Sequence, residues 1–187
     1  MTQAKPLRAD AQRNRDAIVR AAREIFSEEQ NEVPFEDVAR RAGVGAGTLY
    51  RHFPNRNALL AAVFEGEVAA LRDRADQLME TLSPAEALGA FLREMVDHMY
   101  SQRGLARTLF AASETAGGAL SGEGQVLDDV VTEMLSRGVL QGQLRDDVPA
   151  GAVMLALHGI AVAAVHSERR QEADGVVALM IDGLRRR

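Results

Sequence analysis

Residues 40–56, RRAGVGAGTLYRHFPNR, hold four arginines, three glycines and no acidic side chain, in a chain of 187 residues whose formal charge at pH 7 is -5. Gly45, Ala46, Gly47 and Thr48 are all small, and Tyr50, Arg51 and His52 follow one helical turn later. Small side chains let a helix approach the edge of a base pair, where Ala46 and the Thr48 methyl can touch a thymine methyl and the Thr48 hydroxyl can bond a base or a phosphate. Tyr50, Arg51 and His52 are then within reach of the groove walls, and Arg56 falls at a helix start, where free N–H groups and the dipole add to its attraction for phosphate. That chemistry is non-covalent recognition of double-stranded DNA. Taken alone, the arginines also fit a solvated face, Tyr50 a packing position, and glycines 43, 45 and 47 a plain loop; the lack of any counter-acid favours the phosphate reading.

Catalytic chemistry finds little support. The chain has no cysteine, which excludes disulfides, thiolate catalysis and cysteine-based zinc sites, and its four histidines are scattered. His98 lies near Asp97 and Glu94, but no nucleophile motif, phosphate loop or paired metal ligands accompany it. The expectation is a protein that is not an enzyme and uses neither metal nor cofactor.

The elements that must position these residues are helices. Ile18, Ala21, Ala22, Ile25 and Phe26 follow the helical apolar period and predict a helix over 13–29. Pro34 suits the first turn of a second, with Glu36 and Asp37 at its positive end and Gly43 closing it. A third helix is predicted over 46–52, with Leu49 and Phe53 inward, and Pro54 and Asn55 separate it from a long fourth carrying Leu60, Phe64, Val68, Leu71, Ala75, Leu78 and Leu82. Ser83, Pro84 and Glu86 signal a fifth helix. A short sixth is expected over 103–112, a flexible loop over 116–124, and three further helices, one starting after Pro149 and the last over 175–186. No alternating strand pattern is visible. The fold class is all-α with about nine helices, divided into a head over 1–57 and a body over 58–187.

Charge divides the same way. Residues 1–60 hold ten basic and eight acidic side chains, the remainder twelve and nineteen, and the six acids of the first part's 24–37 stretch separate two basic patches. A locally basic front on an acidic protein fits a defined phosphate-binding face rather than indiscriminate coating of nucleic acid. No apolar stretch is long enough to cross a bilayer, and residues 1–16 carry charges throughout, so a cytoplasmic protein without membrane contact is expected.

Residues 34–63 resemble the DNA-binding domain of the TetR (tetracycline repressor-like) family, whose signature reads roughly A-G-V-S-x-G-T-[LV]-Y-x-[HY]-F followed by a basic residue. Ala42-Gly43-Val44, Gly47-Thr48-Leu49-Tyr50, His52-Phe53 and Arg56 match it in place. Gly45 stands where the family usually has serine, Pro34 where it often has a threonine cap, and Arg56 where lysine is usual. The resemblance implies a helix-turn-helix head that binds operator DNA, a helical body for effector binding and dimerisation, and a homodimeric regulator, usually a repressor released by a small molecule. A twofold dimer is expected on physical grounds too, because one short recognition helix reads too few base pairs.

For the dimer face the apolar stripes Val153, Leu157, Ile160, Ala164 and Val177, Met180, Ile181, Leu184 are expected to meet a second copy. An ordinary core helix pair is the competing reading. For an apolar effector, Met95, His98, Met99, Phe110, Met134 and His158 are the candidate lining, since methionines adapt to varied guests. The alternative function is a DNA-bound regulator or scaffold that answers to a protein partner or to no effector.

Overall fold

The computed structural model describes residues 4–28, 34–105, 108, 121–166 and 169–186, with side chains described from residue 9 onward except at 121–124 and 164–166. Among these residues eight helices run in order: α1 Ala4–Glu28, α2 Phe35–Ala42, α3 Ala46–His52, α4 Arg56–Thr81, α5 Pro84–Ser101, α6 Ser121–Leu140, α7 Ala150–His166 and α8 Arg170–Leu184. The all-α class holds. Residues 103–105 and 108 are also helical, within the short helix expected over 103–112; the rest of that stretch and residues 116–120 of the expected loop lie outside the described residues.

Three boundaries differ from expectation. α1 begins earlier, its charged outer turns supported by pairs such as Gln12 with Asp16 (2.8 Å) and Arg13 with Asp10. Residues 121–124, expected in the loop, already belong to α6, because glycine weakens a helix without forbidding it. α8 starts at Arg170 rather than 175, and Arg170 pairs with Asp174 in the first turn (2.9 Å) and with Asp97 of α5.

Two apolar cores organise the chain. The front core gathers Ile18, Ala22 and Phe26 of α1, Val38 of α2, Leu49 of α3 and Phe53, and continues into α4 through Leu59, Leu60 and Val63. The head's packing therefore runs past the boundary expected at 57, because the first turns of α4 supply one wall of it. The rear core surrounds α5, which packs against α4, α6, α7 and α8 and buries Leu88, Phe91, Leu92, Met95 and Val96. Phe64 touches both cores. Burying each large aliphatic or aromatic side chain contributes about 1.5–3 kcal/mol, so these clusters outweigh any surface pair.

Where the end of α5 meets the head, backbone approaches backbone. A Cβ built on Gly104 would lie 2.5 Å from the Phe26 carbonyl oxygen and 2.9 Å from that of Ser27. Leu105 inserts into the front core, and Ser27 Oγ donates to Gln102 Oε1 at 2.8 Å. Gly104→Ala forces the two apart and is expected to cost about 1–3 kcal/mol, lowering the melting temperature by several degrees. An unchanged melting temperature in thermal circular dichroism would show that this contact yields freely.

Candidate nucleic-acid interface

The turn between α2 and α3 is built by glycine at one position for a stated backbone reason. Gly43 has φ 68, the left-handed conformation that closes α2, and its neighbour Val44 N–H donates to Ala39 O at 3.0 Å. Gly45 then caps α3 with an ordinary extended backbone, its carbonyl accepting from Thr48 N–H (2.9 Å) and Leu49 N–H (3.1 Å). Gly45 and Gly47 differ from Gly43: neither has positive φ, and a Cβ at either would meet nothing within 4 Å. Nothing inside the protein demands glycine at 45 or 47. Their smallness faces outward.

The tip protrudes. Gly45, Ala46, Gly47, Tyr50 and Arg51 are exposed, Thr48 and His52 half-buried, while Leu49 and Phe53 anchor the helix beneath them. α3 thus presents one small-residue face to solvent and one apolar face to the head, as a helix that seats in a groove must.

The cations are less free than their sequence position suggests. Arg41 turns toward α1, with Nη2 3.0 Å from Glu28 Oε1 and Nε 3.4 Å from Glu24 Oε2. These bonds, Glu28 foremost, hold the Arg41 guanidinium above its ordinary pKa and make it a tie between α2 and α1. Arg40 pairs with Asp37 at 2.9 Å on the surface. Arg56 is half-buried, its guanidinium carbon 5.0 Å from the Phe26 ring centre, so it packs on α1 as well as flanking the tip. Arg51 alone of the four is exposed with no carboxylate partner among the described residues. Of the basic patch that precedes the acidic 24–37 stretch, the Lys5 and Arg8 side chains lie outside the described residues.

Tyr50 brings an unexpected acid onto this face. Its ring meets Phe35 edge-on at 5.2 Å, and its hydroxyl donates to Glu36 Oε1 at 2.6 Å. The bond from Tyr50 holds the Glu36 carboxyl below the usual carboxylate range, and the same bond raises the Tyr50 phenol above its own. A phenol has one proton, so while Glu36 accepts it Tyr50 cannot donate to phosphate. Glu36→Ala releases that proton and removes a negative charge. Its expected effect is DNA binding tightened about fivefold at low salt, with a salt slope steeper by about 1. Fluorescence anisotropy titrations at several salt concentrations measure both; weaker binding would mean the pair orders the tip rather than restraining it.

The body corrects one further expectation, the dimer face. Val153, Leu157, Ile160, Val177, Ile181 and Leu184 are buried within this chain's own rear core, with Met180 partly buried against it; the Ala164 side chain lies outside the described residues. The opposite faces of α7 and α8 carry the exposed apolar residues: Leu155 is 73%, Leu179 74%, and Val162 and Val176 each 41% exposed. Their spacing, seven residues on α7 and three on α8, is legible in the sequence as a second stripe. The candidate pocket residues divide between the rear core and the surface. Met95 and Met134 are buried together in the rear core with Met99 packed against it, His158 is exposed, and Phe110 lies outside the described residues. His98 instead places Nε2 2.8 Å from Glu67 Oε2, while lining an open cleft with Glu94, Asp97, Tyr100, Ser101 and Arg170.

Comparison with known proteins gives separate matches to the front and the rear of the chain. Residues 18–63 match the family described as bacterial regulatory proteins, tetR family, and residues 83–186 match the C-terminal domain of SbtR-like transcriptional regulators. A TetR transcriptional regulator from Streptomyces coelicolor is 37% identical, with 91% of this chain and 98% of that one covered and a TM-score of 0.71. A TetR regulatory protein from Mycobacterium vanbaalenii is 34% identical, with 97% and 100% covered and a TM-score of 0.68. An HTH-type transcriptional regulator of Staphylococcus aureus is 36% identical over 63 residues, 33% of this chain, and the match spans only 34% of that relative's length. A protruding small-faced helix on a three-helix head, a helical body and likeness over nearly the whole length agree, and the chain belongs to the TetR family of DNA-binding transcriptional regulators.

Proposed function

We propose that the protein is a homodimeric repressor that leaves its operator when a small molecule occupies the C-terminal body. The observation that carries the DNA part is the pair Gly45 and Gly47, glycines that nothing within the protein requires, on the exposed side of α3. The dimer part is supported by the exposed leucines and valines of α7 and α8, interspersed with exposed Gly151, Ala152, Gly159 and Gly175, small enough for a second helix pair to approach. Recognition falls to the tip, with the half-buried Thr48 reading bases and the exposed Arg51 the leading phosphate contact; Arg56 contributes beside its packing role. For an effector to switch the population from 99:1 to 1:99 it must favour the released state by about 5.5 kcal/mol.

The second reading, a DNA-bound regulator answering to a protein partner or to none, draws support from the apolar neighbours among which Met95 and Met134 are buried in the rear core. One experiment separates them: selection of bound fragments from genomic DNA, repeated with a panel of apolar and aromatic compounds. A two-half-site fragment released by one of the compounds supports the first reading. A fragment that none releases supports the second, and no selected fragment at all would overturn both.

A further inference from the structure

Glu67, in the middle of α4, is the one buried charged side chain among the described residues. Its side chain is 8% exposed and has partners from two other helices. Arg23 of α1 sets Nε 2.5 Å from Oε1 and Nη2 3.2 Å from Oε2; His98 of α5 sets Nε2 2.8 Å from Oε2. One carboxylate thus joins a helix of the head, the helix shared by both cores, and the central helix of the body.

Stability alone does not explain a charge at that place. Taking a carboxylate out of water costs as much as its partners return, and an apolar side chain of the same size would pack there at least as well. What the ion adds is direction, because three contacts from two partners on defined oxygens fix where α1 lies relative to α5, whereas apolar contacts tolerate sliding. The location is where direction matters. The front core pulls α1 onto the first turns of α4, the rear core clasps the later turns, and Glu67 lies between Val63, the last fully buried front-core residue of α4, and Val68, the first fully buried one of the rear. His98 also opens onto the cleft with Glu94, Asp97, Tyr100, Ser101 and Arg170, so the tie can be reached from the body's surface. On the head side, Arg23 and Glu67 line a groove with Arg15, Asp16, Arg20 and Glu65.

We propose that Glu67 is the positioning residue that sets the stance of the reading head on the body, held by Arg23 on one side and His98 on the other. The inference rests on the regulator reading above and deepens it: in a dimer, the stance of each head fixes the separation of the two α3 helices, and hence the spacing of half-sites that is bound.

The test has two arms. In the first, binding is measured to a selected two-half-site fragment and to the same fragment with its spacer shortened or lengthened by one base pair. Wild type discriminates among these spacers, and Glu67→Gln, which keeps the shape and removes the charge, is expected to flatten that preference about tenfold while affinity for random DNA stays the same. A Glu67→Gln protein that keeps the full spacing preference overturns the proposal. The second arm needs no DNA: hydrogen exchange is followed in α2 and α3, which supply none of the three side chains of the tie. His98→Ala, or Glu67→Gln should that variant fold poorly, is expected to raise exchange there about fivefold. A rise confined to α4 and α5 around residues 67 and 98 overturns the tie. Wild type that selects no two-half-site DNA sinks the regulator reading, while the exchange arm still decides whether Glu67 couples head to body.

Discussion

Gly47→Leu is expected to leave the melting temperature unchanged or raise it by a degree or two, while lowering affinity for the selected operator at least about 100-fold. The two halves of that result have separate causes. Within the protein, a Cβ at 47 meets nothing within 4 Å and the backbone is ordinary helix, so leucine is accommodated and its better helix propensity adds up to about 1 kcal/mol. Against DNA, the leucine stands between α3 and the base edges. Each good base contact is worth about 1–3 kcal/mol, and backing the helix out of the groove loses several at once in each half-site. Thermal circular dichroism and anisotropy titration on one preparation read both quantities. If stability and affinity fall together, glycine at 47 serves the fold and the assignment of this face to DNA loses its main support.

The second large effect concerns the outer face of α7 and α8. Leu155→Glu combined with Leu179→Glu places two charges where the chain now exposes two leucines, 73% and 74% accessible. Neither belongs to the rear core, so the fold of one chain is expected to survive. A second copy seated there would have to bury those charges unpaired, which costs far more than such an interface returns. Sedimentation velocity is expected to shift from a dimer to a single chain, and operator affinity to fall by about 10²–10⁴, the factor lost when two linked half-site contacts become independent. A dimer that persists would place the interface elsewhere. The corresponding change inside the core, Leu157→Ala, is expected to behave oppositely: about 2–5 kcal/mol of stability lost through a cavity, with assembly of the folded fraction retained.

The head was legible in the sequence because its determinants are local. Pro34, Gly43, Gly45 and Asn55 act within one turn of themselves, through fixed φ, left-handed backbone or a side-chain cap such as Asn55 Oδ1 accepting from Ala58 N–H at 2.9 Å. Helix α3 falls at the predicted residues 46–52. The exposed side of α3 followed in turn, since Leu49 and Phe53 had to point inward.

The partners of charged side chains were not legible. Arg41 counted as a phosphate-facing cation until Glu24 and Glu28 of another helix claimed it, and Tyr50 counted as a residue reaching the groove walls until its hydroxyl proved to donate to Glu36, fourteen positions away. Nothing in the sequence indicated that His98, a candidate effector residue, would also be set against Glu67. In each case the distance in sequence is many turns, and only the crossing of helices brings the groups together.

Helix α7 shows the limit most clearly. It is apolar nearly all round, so Val153, Leu157 and Ile160 form one stripe and Leu155 and Val162 another, and periodicity ranks neither above the other. Which stripe fills the chain's own core depends on the rotation of α7 about its axis, fixed by packing against α5 and α6. The residues alone determined that this is a helical protein with a small-faced, glycine-closed reading tip, since those features arise from backbone preferences and spacing within a turn or two. The tertiary structure decided which cations remain available, which stripe faces outward and what the buried carboxylate holds, because each of those depends on the angles at which separate helices cross.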